Sequence, residues 1–158
     1  MKCSLKLFIV MVVLTSLMLI SSTCLATVEL APSAAALGGI RPGAKTAAVQ
    51  KIYGMPNHRG ESYTGDGDRL EVWTYGDSFS IYFMGNTVVL LKTTANNGIK
   101  TPAGLSVGSN INTVYNTYGA PFVDQSPNAL WYRTSDGVDL VYMFKYNKCS
   151  EIRCGYPL

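Results

Sequence analysis

Few residues in this sequence have the types and spacing that catalysis requires. His58 is the single histidine, and it follows a proline and an asparagine in a polar stretch. A general base needs an orienting partner and a nucleophile within hydrogen-bond reach, and the sequence indicates neither, so we expect His58 to be an exposed loop residue. The alternative is an extracytoplasmic hydrolase of unknown type, in which His58 would pair with Asp66 or Asp68. We predict no catalytic residue and a chain that is not an enzyme.

Metal and cofactor sites are equally unsupported by the residue pattern. Asp66 and Asp68 lie in a Gly-Asp-Gly-Asp stretch, but a calcium loop needs further oxygen ligands at regular spacing and a closing acidic residue. We therefore expect a turn that leads into a strand. Zinc needs about four ligands, which one histidine and the two cysteines near the end of the chain do not supply. We predict no metal and no cofactor.

The first 26 residues have the layout of a secretory signal peptide. Lys2 and Lys6 precede an uncharged apolar run over residues 7–20, and small residues lead to Ala26. The run is shorter than the roughly 20 residues that span a bilayer. We expect cleavage after Ala26, no membrane span afterwards, and a secreted or periplasmic protein. The alternative is lipid attachment at Cys24, which would make the chain an anchored structural component of the envelope.

Two cysteines remain after removal of this leader, Cys149 and Cys154. In one extended strand their Cα atoms would be about 16 Å apart, whereas a disulfide needs less than about 7 Å. Either a turn at residues 151–153 closes a bridge or both thiols stay free. We predict the bridge, because an exported compartment permits it and free exposed thiols are a liability there.

Composition and charge exclude two classes of protein. Apolar residues make up 47% of the chain and charged residues 15%, a balance that disfavours disorder. Two of the 13 basic residues lie in the leader, so the remaining chain nearly balances its 10 acidic residues. A nucleic-acid binder needs a basic stripe, and we predict no nucleic-acid partner.

The most informative pattern is internal similarity. Residues 40–56 align with residues 105–121, so that Gly43 meets Gly108, Val49 meets Val114, and both segments end in Tyr-Gly-x-Pro. Further along, the alignment pairs Trp73 with Trp131. We predict a linker over residues 27–39 followed by two copies of one unit, at residues 40–97 and 98–158.

Each unit is predicted to contain one helix followed by strands. The helices cover residues 45–53 and 110–118, where apolar residues fall on one helical face, and glycine and proline end both of them. Alternating apolar residues predict strands at 79–83 and 138–144. A strand is also predicted on either side of each of these, at 70–75 and 87–93 in the first unit and at 129–133 and 148–153 in the second. The predicted fold class is α+β, with two tandem helix-plus-antiparallel-hairpin repeats that form one sheet with helices on one face.

This order of motifs resembles the repeat of the β-lactamase-inhibitor-protein-like superfamily, which also includes the SmpA/OmlA outer-membrane lipoproteins. The shared features are a glycine before a short helix, a valine six residues later, Tyr-Gly-x-Pro, a tryptophan-bearing strand and a hairpin, over about residues 40–154. The tandem arrangement matches the inhibitor better than the single-unit lipoproteins. The resemblance implies an inhibitor-like protein with a curved sheet that presents a concave face to another protein, and it implies no catalysis.

Aromatic residues on the strands are the candidate binding residues. If the helices cover the side of Phe79, then Tyr82 lies on the opposite, open side of the sheet. Aromatic residues, Met and Arg are enriched at protein interfaces. The alternative for the two tryptophans is a core position in each unit. We predict an exported, non-enzymatic protein-binding module whose partner docks on Trp73, Tyr75, Tyr82, Trp131, Val141 and Met143.

Overall fold

Eight antiparallel strands in a single sheet dominate the fold. The structure, a computed structural model, describes residues 29–157. Two helices, α1 (Thr46–Tyr53) and α2 (Ile111–Tyr118), each precede four strands. The strands cross the sheet in the order β1-β2-β3-β4-β8-β7-β6-β5. Their bounds are β1 (His58–Tyr63), β2 (Arg69–Tyr75), β3 (Phe79–Met84), β4 (Thr87–Thr93), β5 (Val123–Gln125), β6 (Ala129–Arg133), β7 (Asp139–Lys145) and β8 (Lys148–Gly155).

The predicted α+β fold class of helix-plus-hairpin repeats is wrong, because the fold is predominantly β. Only two short α-helices and one three-residue 3-10 helix (Pro32–Ala34) accompany eight strands in the described residues. The outer strands β1 and β5 account for much of the difference, since the sequence analysis leaves their residues in loops. Every residue of β1 except Ser62 is exposed, so no apolar alternation marks it as a strand. It forms by pairing with β2 at the edge of the sheet.

The two helices begin and end close to the positions predicted from sequence. Asn110 caps α2, because its side chain accepts a hydrogen bond from the backbone N–H of Asn112 at 2.9 Å. Lys45 precedes α1 without a side-chain cap. Gly54 and Gly119 end the helices with φ angles of 71° and 77°, a region that only glycine adopts at little cost. These ends place both helices against the same face of the sheet.

The core lies between that face and the two helices. Val49 of α1 and Val114 of α2 are fully buried in it. Burial raises the pKa of the core tyrosines Tyr132 and Tyr142, which therefore stay neutral. The largest inward-facing strand residues are Trp73, Phe79, Ile81, Phe83, Leu91, Leu130, Tyr132, Leu140, Tyr142, Phe144 and Ile152.

Equivalent backbone contacts anchor the start of each helix to its half of the sheet. The N–H of Gly43 donates to the carbonyl of Val88 at 2.7 Å, and the N–H of Gly108 donates to the carbonyl of Cys149 at 2.8 Å. These bonds fix each helix relative to the inner strand, β4 or β8. The origin of the two halves by duplication stays a prediction.

A tyrosine hydrogen bond anchors the end of each helix to the sheet. The hydroxyl of Tyr75 donates to the carbonyl of Gly54 at 3.1 Å, and the hydroxyl of Tyr132 donates to the carbonyl of Gly119 at 3.3 Å. Tyr75 on β2 and Tyr132 on β6 therefore occupy equivalent positions. The sequence alignment, which pairs Trp73 with Trp131, is shifted by one residue relative to this equivalence.

We expect Gly155→Ala to destabilise the protein by about 1–3 kcal/mol, the usual cost of overpacking. A Cβ at Gly155 would lie 2.6 Å from the carbonyl oxygen of Val89 and 2.8 Å from Cδ1 of Leu90. Gly60→Ala is the matched control, because a Cβ there meets no atom within 4 Å. Urea unfolding of both variants measures the difference, and equal unfolding midpoints would contradict the close approach of β8 to β4.

Candidate binding groove on the open sheet face

The face of the sheet opposite the helices, here called the open face, carries a continuous row of side chains across its inner strands. Lys92 on β4 pairs with Arg153 on β8, Arg153 pairs with Val141 on β7, and Val141 pairs with Trp131 on β6. Residues paired in this way point to the same side of a sheet. The row therefore passes from two cations at the centre of the sheet to two apolar residues in its second half.

A groove with a cavity volume of about 390 Å³ lies over this second half. Its floor is apolar, Val141 is 7% exposed, and arginines border it. The chain leaving β8 forms one wall. The lining residues are Leu90, Trp131, Arg133, Asp139, Val141, Met143, Arg153, Gly155, Tyr156 and Pro157.

Four of the six predicted partner-binding residues lie on the open face. Trp131, Val141 and Met143 line the groove. Tyr82 is half-buried on β3 and pairs with Leu90, which itself lines the groove. The structure thus brings these residues to one surface, with Tyr82 beyond the central cations.

Trp73 and Tyr75 lie on the opposite, helix-covered face, so the structure does not place them among the partner-binding residues. Trp73 is 3% exposed, its ring centroid lies 4.7 Å from that of Phe83, and its Nε1 donates to Glu71 Oε1 at 2.6 Å. Tyr75 is held by its bond to the end of α1. Side chains alternate between faces along a strand, and this alternation separates both residues from Tyr82.

The predicted disulfide between Cys149 and Cys154 is not formed. Both thiols are free and buried, because β8 continues as one strand through both cysteines and the predicted turn is absent. Their side chains face the helices, opposite Phe144 and Leu140 of β7. Burial raises the pKa of each thiol to about 12, so both remain protonated at neutral pH.

We expect these two thiols to be inert in the folded chain lacking residues 1–26. Thiolate is the reactive form, and burial suppresses both ionisation and access. An aromatic disulfide reagent at pH 8 should detect no thiol before denaturation and both after it. Tyr146→Cys, at a position that is 90% exposed, is the positive control. Detection of no thiol in denaturant would show a bridge and contradict the structure.

One carboxylate serves the two cations at the centre of the open face. Arg153 Nε donates to Glu151 Oε1, and Lys92 Nζ lies 3.9 Å from Glu151 Oε2. No other carboxylate lies within ion-pair distance of either cation in residues 29–157. This part of the face therefore keeps an excess of positive charge.

The arginine at the far side of the groove already has its own carboxylate partner. Arg133 binds Asp139 through Nε at 2.6 Å and through Nη2 at 2.9 Å. Its guanidinium carbon also lies 4.5 Å from the centre of the Phe122 ring. This bidentate pair forms a rigid border to the groove.

A buried donor at the groove has no acceptor. The indole Nε1 of Trp131 is inaccessible to solvent and makes no hydrogen bond in the described part of the chain. The indole Nε1 of Trp73, by contrast, donates a hydrogen bond to Glu71. A buried polar atom without a partner is uncommon in native proteins, which sets Trp131 apart from the other polar side chains of the groove.

The structure does not assemble the alternative catalytic site. His58 begins β1 opposite Thr74, whereas Asp66 and Asp68 lie in the turn that joins the other end of β1 to β2. A six-residue strand separates these positions by about 16 Å, so neither aspartate orients the histidine. Among the described residues, no group of three or more His, Cys, Asp or Glu side chains is arranged to hold a metal ion.

The predicted leader, with its cleavage after Ala26 and the alternative lipid site at Cys24, lies outside the described residues. Within residues 29–157, no helix has the length and apolar character needed to cross a membrane.

Sequence reasoning missed the charged residues of the open face. The alternation of side chains along β4 and β8 places Lys92 and Arg153 on the face that points away from the core, and the sequence does contain this signal. What the sequence lacks is the pairing of β4 with β8, which places the two cations opposite each other.

Comparisons with known proteins show a fold likeness alone. No protein-family model matches the chain, and no curated protein matches it. An extracellular protein containing a SCP domain from Bacillus anthracis str. Ames has a similar structure, with a TM-score of 0.54 and 12% sequence identity. The match covers 73% of this chain and 44% of that one, so the chain spans less than half the length of its neighbour.

Proposed function

We propose that this chain is an exported, non-enzymatic protein-binding module that docks a partner on its open sheet face. The observation that carries the proposal is the groove of about 390 Å³ on the side of the sheet that its own helices leave uncovered. The groove is concave and apolar at its floor, as binding sites generally are.

The composition of the open face favours a protein over a small molecule. Trp131, Tyr82 and Met143 belong to residue types that are enriched at protein interfaces, and charged residues border the apolar part. The face also extends from Trp131 on β6 across β7, β8 and β4 to Tyr82 on β3, a distance of about 19 Å at the usual strand spacing, which is farther than most small ligands reach. Large aromatic residues surrounded by a polar rim are the usual anchors of such an interface.

The proposed location is outside the cytoplasm, either secreted or periplasmic. The charged, apolar and small-residue segments of residues 1–26 support export. The structurally similar protein is itself described as extracellular. The resemblance to the β-lactamase-inhibitor-protein-like superfamily supports the same role, because that superfamily presents a sheet face to another protein.

The test compares two tyrosine variants as baits for proteins from the envelope and medium of the producing cells. Tyr82→Ala removes an aromatic ring from the open face. Tyr63→Ala is the matched control, since Tyr63 is 63% exposed and lies in register with Arg69 on the other side of the sheet. We expect wild type and Tyr63→Ala to retain the same partner and Tyr82→Ala to lose it. Equal capture by Tyr82→Ala would contradict the proposal.

A further inference from the structure

We propose that Lys92 and Arg153 receive an acidic side chain of the protein partner, while a large apolar side chain of the same partner segment enters the adjacent groove. This inference rests on the proposed function and adds the chemistry of the partner. In it, the open face recognises an internal Asp or Glu that stands next to an apolar residue.

Two like charges stand side by side at the centre of the open face. Lys92 and Arg153 are directly opposite each other on adjacent strands, an arrangement that destabilises a sheet. Glu151 is the single carboxylate that contacts them in the described residues, at 3.9 Å from Lys92 Nζ and in a hydrogen bond with Arg153 Nε. Two cations that share one anion leave room for a second carboxylate, which would complete the charge balance.

Arg153 has unused hydrogen-bonding capacity. Its Nε bonds to Glu151, and neither Nη atom has a hydrogen-bond partner in residues 29–157. Arg133 provides the contrast, because Asp139 already occupies both Nε and Nη2. A guanidinium with free Nη donors is suited to a carboxylate in a way that an engaged one is not.

The distance between the cations and the groove sets the spacing of the two side chains that a partner would present. Val141 pairs with Arg153 on the next strand and Trp131 is one strand further, which corresponds to about 5 Å and 10 Å along the row. An extended segment advances about 3.3 Å per residue. The acidic and apolar side chains of the partner should therefore stand within about three positions of each other.

The surroundings of the cation pair favour an internal carboxylate over the end of a chain. Tyr82 lies on β3, on one side of the pair, and Val141 and Trp131 lie on the other side. A partner segment that covers aromatic surface on both sides must continue past the cations in both directions. A terminal carboxylate would leave one of these sides uncovered.

The test uses random peptides of about 12 residues, which in extended form reach about 40 Å, the width of an eight-stranded sheet. They are displayed with both ends joined to a carrier and selected on the purified exported chain. We expect enriched peptides to carry Asp or Glu within three positions of Leu, Ile, Phe or Trp.

Lys92→Gln/Arg153→Gln should bind a selected peptide about tenfold more weakly, the usual loss for a charge-assisted pair. Lys51→Gln/Lys100→Gln, which removes two exposed charges elsewhere, should bind it like wild type.

A third variant is expected to change the affinity for the selected peptide in the opposite direction. Glu151→Gln removes the carboxylate that the two cations share, so the incoming acid meets less repulsion and less competition. We expect this variant to bind the selected peptide about threefold more tightly, in the range of a half-exposed charge pair. An isosteric amide keeps the shape of the site, and circular dichroism checks that each variant is folded. Weaker binding by Glu151→Gln would overturn the inference.

The remaining outcomes separate this inference from the function on which it rests. Enrichment of neutral or basic peptides, enrichment only from a parallel library displayed with free carboxyl termini, or equal binding by the Lys92→Gln/Arg153→Gln variant would each overturn it. Binding of anionic phosphatidylglycerol vesicles without any enriched peptide would overturn it in favour of a lipid surface. If no peptide is enriched while Tyr82→Ala still loses its partner from cells, the acidic-segment inference fails and the proposed function stands. If capture is insensitive to Tyr82→Ala, the proposed function fails, and the inference falls with it.

Discussion

Replacing Trp73 with alanine is expected to lower the free energy of unfolding by about 3–5 kcal/mol, the range for loss of a buried tryptophan. The indole is 3% exposed, packs against Phe83 and bonds to Glu71. The substitution leaves a cavity between the sheet and the helices, and it leaves Glu71 without its hydrogen-bond donor. Urea unfolding followed by far-ultraviolet circular dichroism measures the loss directly.

Trp131→Ala is the matched control for this prediction. The residue is half-buried on the open face, and its Nε1 makes no hydrogen bond that the substitution could remove. We expect a cost of about 1 kcal/mol, typical of a position outside the core. Equal losses for the two tryptophan variants would contradict the assignment of the two rings to opposite faces of the sheet.

For partner binding, the order of the two tryptophans is expected to reverse, so that Trp131→Ala has a larger effect than Trp73→Ala. Trp131→Ala should weaken partner binding by at least about thirtyfold, because a central aromatic anchor contributes about 2 kcal/mol or more to an interface. Competition provides the measurement, with free wild-type or variant chain displacing the partner from immobilised wild type. The half-maximal concentration should rise by this factor for Trp131→Ala.

The control for the binding effect is Tyr115→Ala. Tyr115 lies on α2 and is 40% exposed, so it offers an exposed aromatic ring on the helix-covered side of the molecule. This variant should compete like wild type. A loss of competition by Tyr115→Ala, with Trp131→Ala unchanged, would move the binding surface from the open face to the helices.

Local signals in the sequence were sufficient for the helices. Asn110 predicts the cap that begins α2, and the two Tyr-Gly-x-Pro segments predict the ends of both helices at Gly54 and Gly119. These features depend on hydrogen bonds and backbone angles within a few residues. The inner strands are equally visible, because each has one buried side and therefore an apolar period of two.

Pairing between distant strands was not predictable in the same way. The edge strands β1 and β5 form because β2 and β6 offer unpaired backbone groups, and their own residues are polar. Cys149 and Cys154 were expected to approach each other through a turn, but pairing with β7 keeps β8 extended through both. In each case, hydrogen bonds to a remote strand decide a structure that local propensity leaves open.

The faces of the two tryptophans show how small an error in alignment changes a predicted site. Matching Trp73 to Trp131 by identity puts both on one surface, whereas the shared contacts to the helix ends identify Tyr75 and Tyr132 as equivalent. A shift of one residue along a strand moves every side chain to the other face. Trp131 therefore stands in the groove while Trp73 stands in the core.

Photo-crosslinking in the producing cells tests most directly whether the open face is the surface that meets a partner. A benzophenone amino acid replaces either Met143, which lines the groove, or Tyr115, which is exposed on α2. We expect one protein adduct from position 143, absent when Trp131→Ala is combined with it, and no such adduct from position 115. An adduct from position 115 without one from position 143 would contradict this expectation.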